Sequence, residues 1–210
     1  RANWGEGFKL PTIFQSTFFC CGAEKPNENL LPETSEGYEI GIDYKSSENF
    51  NKIGVTFFDQ DISNMIDFSF SIGGYENVKK VYSKGIEVNF VSKLRDNITI
   101  SGSFSKLDSK NEFGSRLSRL PEEKGSLNID FSLGLNNNFY ISLFYNGDEV
   151  DPRGEVSDWF RSDLNFSRNI SDKAKIYFKV KNIFDEEYQD IYGYGTEERS
   201  FSVGINLSAG

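Results

Sequence analysis

The chain has 210 residues, 26% of them charged, a net charge of -9 and no histidine. No stretch approaches the roughly 18 consecutive apolar residues that a membrane-crossing helix needs, so a helical membrane protein is excluded; a transmembrane β-barrel is not, because its strands show lipid only every second side chain and average out as polar. The acidic balance excludes a nucleic-acid interface, which rests on clustered Lys and Arg, and the lack of His removes the commonest general base and the usual nucleophilic triad.

A first strand is expected to end near Phe8, followed by a long link over residues 10–37. Within that link Cys20 and Cys21 are neighbours, a spacing that strains a disulfide ring, so no disulfide framework is expected. One Cys pair without His also falls short of the four ligands of a structural zinc site. Strands are then expected at 38–44 and 53–58 around a short link at 46–51, and at 81–91 after a long link at 69–80. A short link at 92–97 leads to the clearest alternation, Ile98, Ile100 and Phe104 against Thr99, Ser101, Ser103 and Ser105. Period-two patterning of this kind marks a strand with two unlike faces.

The rhythm continues after a long link at 106–120 with Leu127, Ile129, Phe131, Leu133 and Leu135, then across a short link at 135–138 with Phe139, Ile141, Leu143 and Tyr145. A long link at 147–158, a strand at 160–166 and a short link at 170–173 precede Ala174, Ile176, Phe178 and Val180. The last long link, 185–199, opens into Phe201, Val203, Ile205 and Leu207. Nothing between these strands has helical periodicity, and successive strands joined by turns predict an all-β antiparallel meander.

Short and long links alternate strictly, which trims one end of the sheet and decorates the other. That is the layout of an outer-membrane barrel with short periplasmic turns and longer extracellular loops. The polar face carries Glu39, Asp43, Lys45, Glu87, Asp130, Arg161, Asp163, Lys175 and Lys179, too many charges for a soluble core unless all are paired. A wet lumen hydrates them, which assigns the apolar face to lipid. The competing architecture is a soluble β-sandwich whose apolar faces form a core.

Several segments resemble the TonB-dependent receptor family. They are Gly7-Phe8-Lys9-Leu10-Pro11-Thr12, the stretch from Asn29 to Ser35 followed by Tyr38-Glu39-Ile40-Gly41, then Lys84-Gly85-Ile86-Glu87, and Asn182-Ile183-Phe184-Asp185 with Tyr188. Asp61-Ile62-Ser63-Asn64-Met65-Ile66-Asp67 and Tyr192-Gly193-Tyr194-Gly195-Thr196 ahead of Arg199 are similar to segments of the cobalamin receptors within that family. The resemblance implies a barrel of about 22 strands with a plugged lumen, of which residues 1–210 supply about the last ten strands. The plug would lie outside this chain, as would its contact with TonB. The chain opens on Arg1 with Met65 as its one methionine, as expected of a fragment or processed product. The family usually closes on an aromatic residue, whereas this chain closes on Leu207-Ser208-Ala209-Gly210.

What the resemblance implies is a bacterial outer-membrane receptor, not an enzyme. It would take a scarce bulky nutrient, a corrinoid first and a ferric siderophore next, and be driven through TonB and surrounded by outer-membrane lipid. The alternatives are a passive porin or barrel-borne hydrolase, and a soluble binding module. No cofactor is implied; the loop acids Asp59 and Asp61, 148–151 and 185–187 offer the oxygens that calcium takes, although the ordinary fate of such acids is solvation. One ligand contact is carried over: Arg119, in Leu117-Ser118-Arg119-Leu120-Pro121, matches an arginine that faces the ligand vestibule. Pairing with Glu122 or Glu123 is its structural alternative.

Overall fold

The structure, a computed structural model, describes residues 1–22, 25–46 and 51–208. Among them the elements run β1 (Ala2–Lys9), α1 (Ile13–Thr17), β2 (Glu33–Lys45), β3 (Lys52–Ser69), β4 (Gly74–Arg95), β5 (Ile98–Asn111), β6 (Glu123–Leu133), β7 (Asn137–Asn146), β8 (Glu149–Asp151), β9 (Gly154–Val156), β10 (Trp159–Ser171), β11 (Ala174–Lys181) and β12 (Ser200–Leu207). Ten strands form one sheet in chain order, β1 and β12 being its ends, and β8 with β9 forms a separate hairpin carried between β7 and β10. The expected meander of about ten strands is therefore the observed one. The chain falls into two compact units, one of Arg1–Gly41, Thr56–Ile86 and Leu107–Leu117, the other of Ile42–Val55, Glu87–Lys106 and Ser118–Gly210.

In the second unit the alternation of single strands becomes continuous rows across the sheet. Directly paired residues share a face, and the register sets Ile100, Ile129, Ile141, Leu164, Val180 and Phe201 side by side. Two residues along, Ile98, Phe131, Phe139, Phe166, Phe178 and Val203 make a second row, in which Phe139 and Phe166 approach to 4.9 Å between ring centres. The row between them, on the other face, is Thr99, Asp130, Tyr140, Asn165, Lys179 and Ser202. Polar groups along that face bond to one another, as Ser142 Oγ does to Asn128 Oδ1 at 2.9 Å and Asn138 Nδ2 to Asp130 Oδ1 at 3.2 Å.

Burial is inverted relative to a soluble domain. Val203 is 81% exposed and Phe201, Ile205 and Leu207 are exposed beside it, whereas Ser142, Ser162, Ser167 and Asn182 are buried. An apolar face of this extent is unstable against water and at home against hydrocarbon. On the polar face Tyr177 lies across Gly204, its partner on β12; a Cβ at that glycine would come within 2.4 Å of the ring. Glycine is thus required there by the close approach of the ring.

In the first unit β1 and β2 pair Trp4 with Tyr38 and Ala2 with Ile40 on one face, Asn3 with Glu39 and Lys9 with Glu33 on the other. Asn3 Nδ2 donates to Glu39 Oε1 at 2.6 Å, and Glu33 accepts from Lys9 at 2.8 Å and from the Ile66 N–H at 3.2 Å. β3 has 18 residues and β4 has 22, against the roughly 9–11 that suffice to cross a bilayer. The long link expected at 69–80 is accordingly a tight turn between extended strands, with Gly73 at φ 63. Beyond the apolar band both faces of a strand are polar, so alternation no longer signals it. Asn77 shows this: it donates to the carbonyls of Leu31 at 3.0 Å and Asn64 at 2.7 Å and accepts from the Leu31 N–H at 2.8 Å.

Two further features depart from the sequence expectations. Five residues form α1, which is too short to display a helical period. Its signal is local: Thr12 Oγ1 accepts from the Gln15 N–H at 3.1 Å and Gln15 Oε1 from the Thr12 N–H at 2.9 Å, a capping box. Cys20 and Cys21 form a vicinal disulfide, which corrects the expectation of none. The left-handed backbone of Cys21, at φ 58, opens a turn completed by Gly22 and brings the two sulfurs together. The short link at 46–51 lies largely outside the described residues, as do the last two residues of the tail; Ser208 still donates its N–H to Lys173 O at 3.0 Å.

With these rows fixed, cysteines placed singly at Ile129, Phe178 and Val203 are expected to react with a lipid-soluble thiol probe in membranes, and those at Ser101 and Ser132 to react with a water-soluble one. The opposite labelling pattern would turn the sheet inside out.

Candidate ligand-binding loops

The connection from β11 to β12 is organised by the motif residues Asn182 and Asp185, both in the left-handed region, at φ 53 and φ 58. Asn tolerates that conformation better than most residues because its short side chain bonds locally. The buried Asn182 accepts from the Glu186 N–H and donates to the Glu186 carbonyl, each at 2.9 Å, while its own N–H donates to Asp163 Oδ1 at 2.9 Å. Asp185 in turn accepts from the backbone N–H of Arg199 at 2.7 Å and pairs with the Arg199 guanidinium at 3.4 Å. One asparagine therefore ties the loop's start to the sheet, and one aspartate closes its far end.

Loop and sheet also meet through Tyr188. Arg161, on the polar face of β10, donates to the Tyr188 hydroxyl at 2.7 Å and faces Asp163 at 3.3 Å. Its guanidinium stands 4.9 Å from the centre of the Phe144 ring, a cation–π distance. Trp159 packs on Tyr188 at 4.5 Å between ring centres. Further along the loop, Tyr192 lies against Gly154 of the β8–β9 hairpin, where a Cβ would come within 2.4 Å of its ring.

The hairpin brings Arg119 into the same group. Its N–H donates to Val150 O at 2.8 Å and its Nε to Asp151 Oδ2 at 2.7 Å. The other oxygen of Asp151 accepts from the Arg153 N–H at 3.0 Å and from Arg153 Nε at 3.1 Å. The Arg153 guanidinium sits 5.4 Å from the centre of the Tyr194 ring. The carboxylate of Asp151 is 1% exposed, while the two arginine side chains are 46% and 44% exposed. Burial pushes the Asp151 carboxyl upward, but the bonds from Arg119 and Arg153 outweigh it and hold the carboxyl at about 2. Arg119 adopts φ 60, a conformation a non-glycine residue keeps only where its surroundings over-determine it.

Arg119, singled out from sequence, thus has Asp151 as its partner, and Glu123 is taken by Lys106 at 2.7 Å. The pairing of Asp151 with Arg119 had no sequence signal, since the contact spans 32 residues between two loops, and Arg153 was not singled out. Two of the acids offered for calcium, Asp151 and Asp185, are engaged by arginines. Among the described residues no group of three or more His, Cys, Asp or Glu gathers as a metal site. What the arrangement offers is a set of aromatic rings and half-exposed guanidinium groups carried on three loops, suited to a large ligand bearing oxygen acceptors.

A strand meander with an apolar outer face and decorated long loops defines an outer-membrane barrel wall. The chain belongs to the TonB-dependent receptor family: the family described as TonB dependent receptor-like, beta-barrel, matches residues 1–183. Its members' barrels are bacterial outer-membrane proteins, and this chain is a segment of one. It is 26% identical over 98% of its length to the vitamin B12 transporter BtuB of Vibrio cholerae serotype O1, of which the match covers 34%. The copper transporter OprC superposes with a TM-score of 0.82 at 15% identity, over 99% of this chain and 36% of that one. The ferric enterobactin receptor PfeA of Pseudomonas aeruginosa does so with a TM-score of 0.79 at 18% identity, over 98% and 37%. The chain thus spans about a third of the length of the proteins it matches.

Replacing Asn182 by Ala is expected to lower stability by about 1–3 kcal/mol, the penalty for unpairing buried backbone groups, seen as a lower denaturant midpoint in folded receptor. The Asp151 pairing carries a pH signature. Because its folded-state value is depressed to about 2, its contribution is present above the ordinary carboxylate range and lost as pH falls through 2. Hydrogen exchange over residues 147–158, corrected for intrinsic rate, should stay slow down to about pH 4 and rise below it.

Proposed function

We propose that this chain is barrel wall and outer loops of a receptor that moves a scarce, bulky nutrient inward across the outer membrane, with cobalamin as that nutrient. The observation that carries the reading is the likeness to the Vibrio cholerae vitamin B12 transporter along 98% of the chain. The driving energy enters through TonB and a plug in the lumen, and the family relationship supports that arrangement. A ferric siderophore is the second reading, because the ferric enterobactin receptor has the same fold over this segment. In either case the three loops that carry Arg119, Arg153 and Tyr194 are the vestibule.

Arg119 is the ligand contact in this reading. A guanidinium presents five donors in a fixed fork, which suits the amide and phosphate oxygens around a corrinoid. In the full-length receptor, Arg119→Ala is expected to weaken equilibrium binding of cyanocobalamin by about 1.5–3 kcal/mol, the loss of one charge-assisted hydrogen bond. Unchanged affinity would return Arg119 to a purely structural role. Binding of a ferric siderophore with no corrinoid binding would replace cobalamin.

A further inference from the structure

The two apolar rows of the second unit are followed, toward the short turns, by a third on the same face: Leu133, Asn137, Arg168, Ile176 and Ile205. Arg168 is the one charged side chain in the three rows, and its pair with Asn137 is the last of the β7–β10 ladder. Past it lie the turns at residues 134–136 and 172–173. Around it Leu133, Leu135, Ile170, Ile205 and Leu207 are all exposed, and Asn137 spends its amide on the Leu133 carbonyl at 3.1 Å. Asp130 and Asp163 stand on the opposite face. Two strands flank β10 on each side, β6 and β7, β11 and β12, which is about 9–10 Å of sheet in each direction, so the part of the sheet within reach of the guanidinium is described in full. Among the described residues the exposed Arg168 enters no hydrogen bond or ion pair.

We propose that Arg168 and the apolar side chains around it bind one glycerophospholipid of the periplasmic leaflet, the guanidinium holding the phosphodiester while Leu133, Ile176 and Ile205 lie under the acyl chains. The site rests on the barrel wall and is independent of which nutrient the receptor takes. A cation on the lipid face is most costly at the middle of the bilayer and nearly free at the interface, and the end of the ladder, next to the short turns, places Arg168 at that interface. The protein offers its donors no acceptor, so the acceptor comes from outside. Leu135 and Ile170 lie nearer the periplasm than Arg168 and are exposed, and burying such side chains in the acyl boundary is favourable. The headgroup layer is then what the guanidinium meets first, and its planar fork takes two phosphate oxygens side by side. Charge complementarity points the same way, because this stretch of the apolar face carries one positive charge with its carboxylates turned to the lumen.

The test titrates dioleoylphosphatidylglycerol, and dioleoylglycerol as the same lipid without its phosphate, into the full-length receptor in detergent, with bound lipids counted by native mass spectrometry. The wild type is expected to hold one phosphatidylglycerol more tightly than the rest and to show no such preference for dioleoylglycerol. Arg168→Gln should weaken that first lipid by about 10-fold or more, the loss of a charge-assisted hydrogen bond. Arg168→Lys, which keeps the charge without the fork, should fall between the two. As a control for net charge, Lys93→Gln removes a cation that Asp96 already holds at 2.9 Å and should leave lipid binding as in the wild type. Heat-modifiable mobility of each variant confirms a folded barrel before its titration is read. Equal retention by the wild type and Arg168→Gln would overturn the site, and so would equal binding of the two lipids. A wild-type dimer that Arg168→Gln dissolves, with no lipid difference, would give this face to a second copy of the receptor instead.

Discussion

Everything in this chain depends on the requirement that backbone N–H and C=O groups inside hydrocarbon find partners within the protein. A meander meets it by bonding each strand to the next. The same pairing aligns side chains in rows, so that Ile100, Ile129, Ile141, Leu164, Val180 and Phe201 become one apolar band and Thr99, Asp130, Tyr140, Asn165, Lys179 and Ser202 one polar band. A slip of one residue in any strand would exchange the bands locally and drive charge into lipid. Register is therefore fixed by the solvent on each side more than by any single contact.

This is also why the wall was legible in the sequence. Strands β6, β7, β11 and β12 carry the alternation in full, and the order of long and short links between them follows from it. Legibility fails where the two solvents become one. Residues 74–80 of β4 and 106–111 of β5 lie in strands yet read as loops, because neither face there meets hydrocarbon and Asn77 spends its side chain on the neighbouring loop. The capping box of α1 was present as Thr12 and Gln15, but a helix of five residues offers no period to confirm it.

The loops were legible only in part. Asn182 and Asp185 stood out as motif residues, and their left-handed backbones explain the choice of residue at each position. Arg119 stood out as well, but its partner did not. Asp151 lies 32 residues away in a hairpin that alternation cannot reveal, since strands of three residues hold barely one period. What decides the chemistry of this cluster is long-range pairing of loop charges, the kind of information a single sequence carries least.

The length of the β3–β4 hairpin carries its tip far from the bilayer. At about 3.3 Å per residue the 22 residues of β4 extend roughly 70 Å, and about half of them are enough to cross the bilayer at the usual tilt. The remainder carries the turn at residues 70–73, with the exposed Phe70 and Ile72, well away from the hydrocarbon. A phage fibre, a bacteriocin or an antibody approaching from outside would find exposed apolar side chains at the tip of this hairpin. The sequence of that tip is thereby open to selection by agents that meet the cell surface and never cross it.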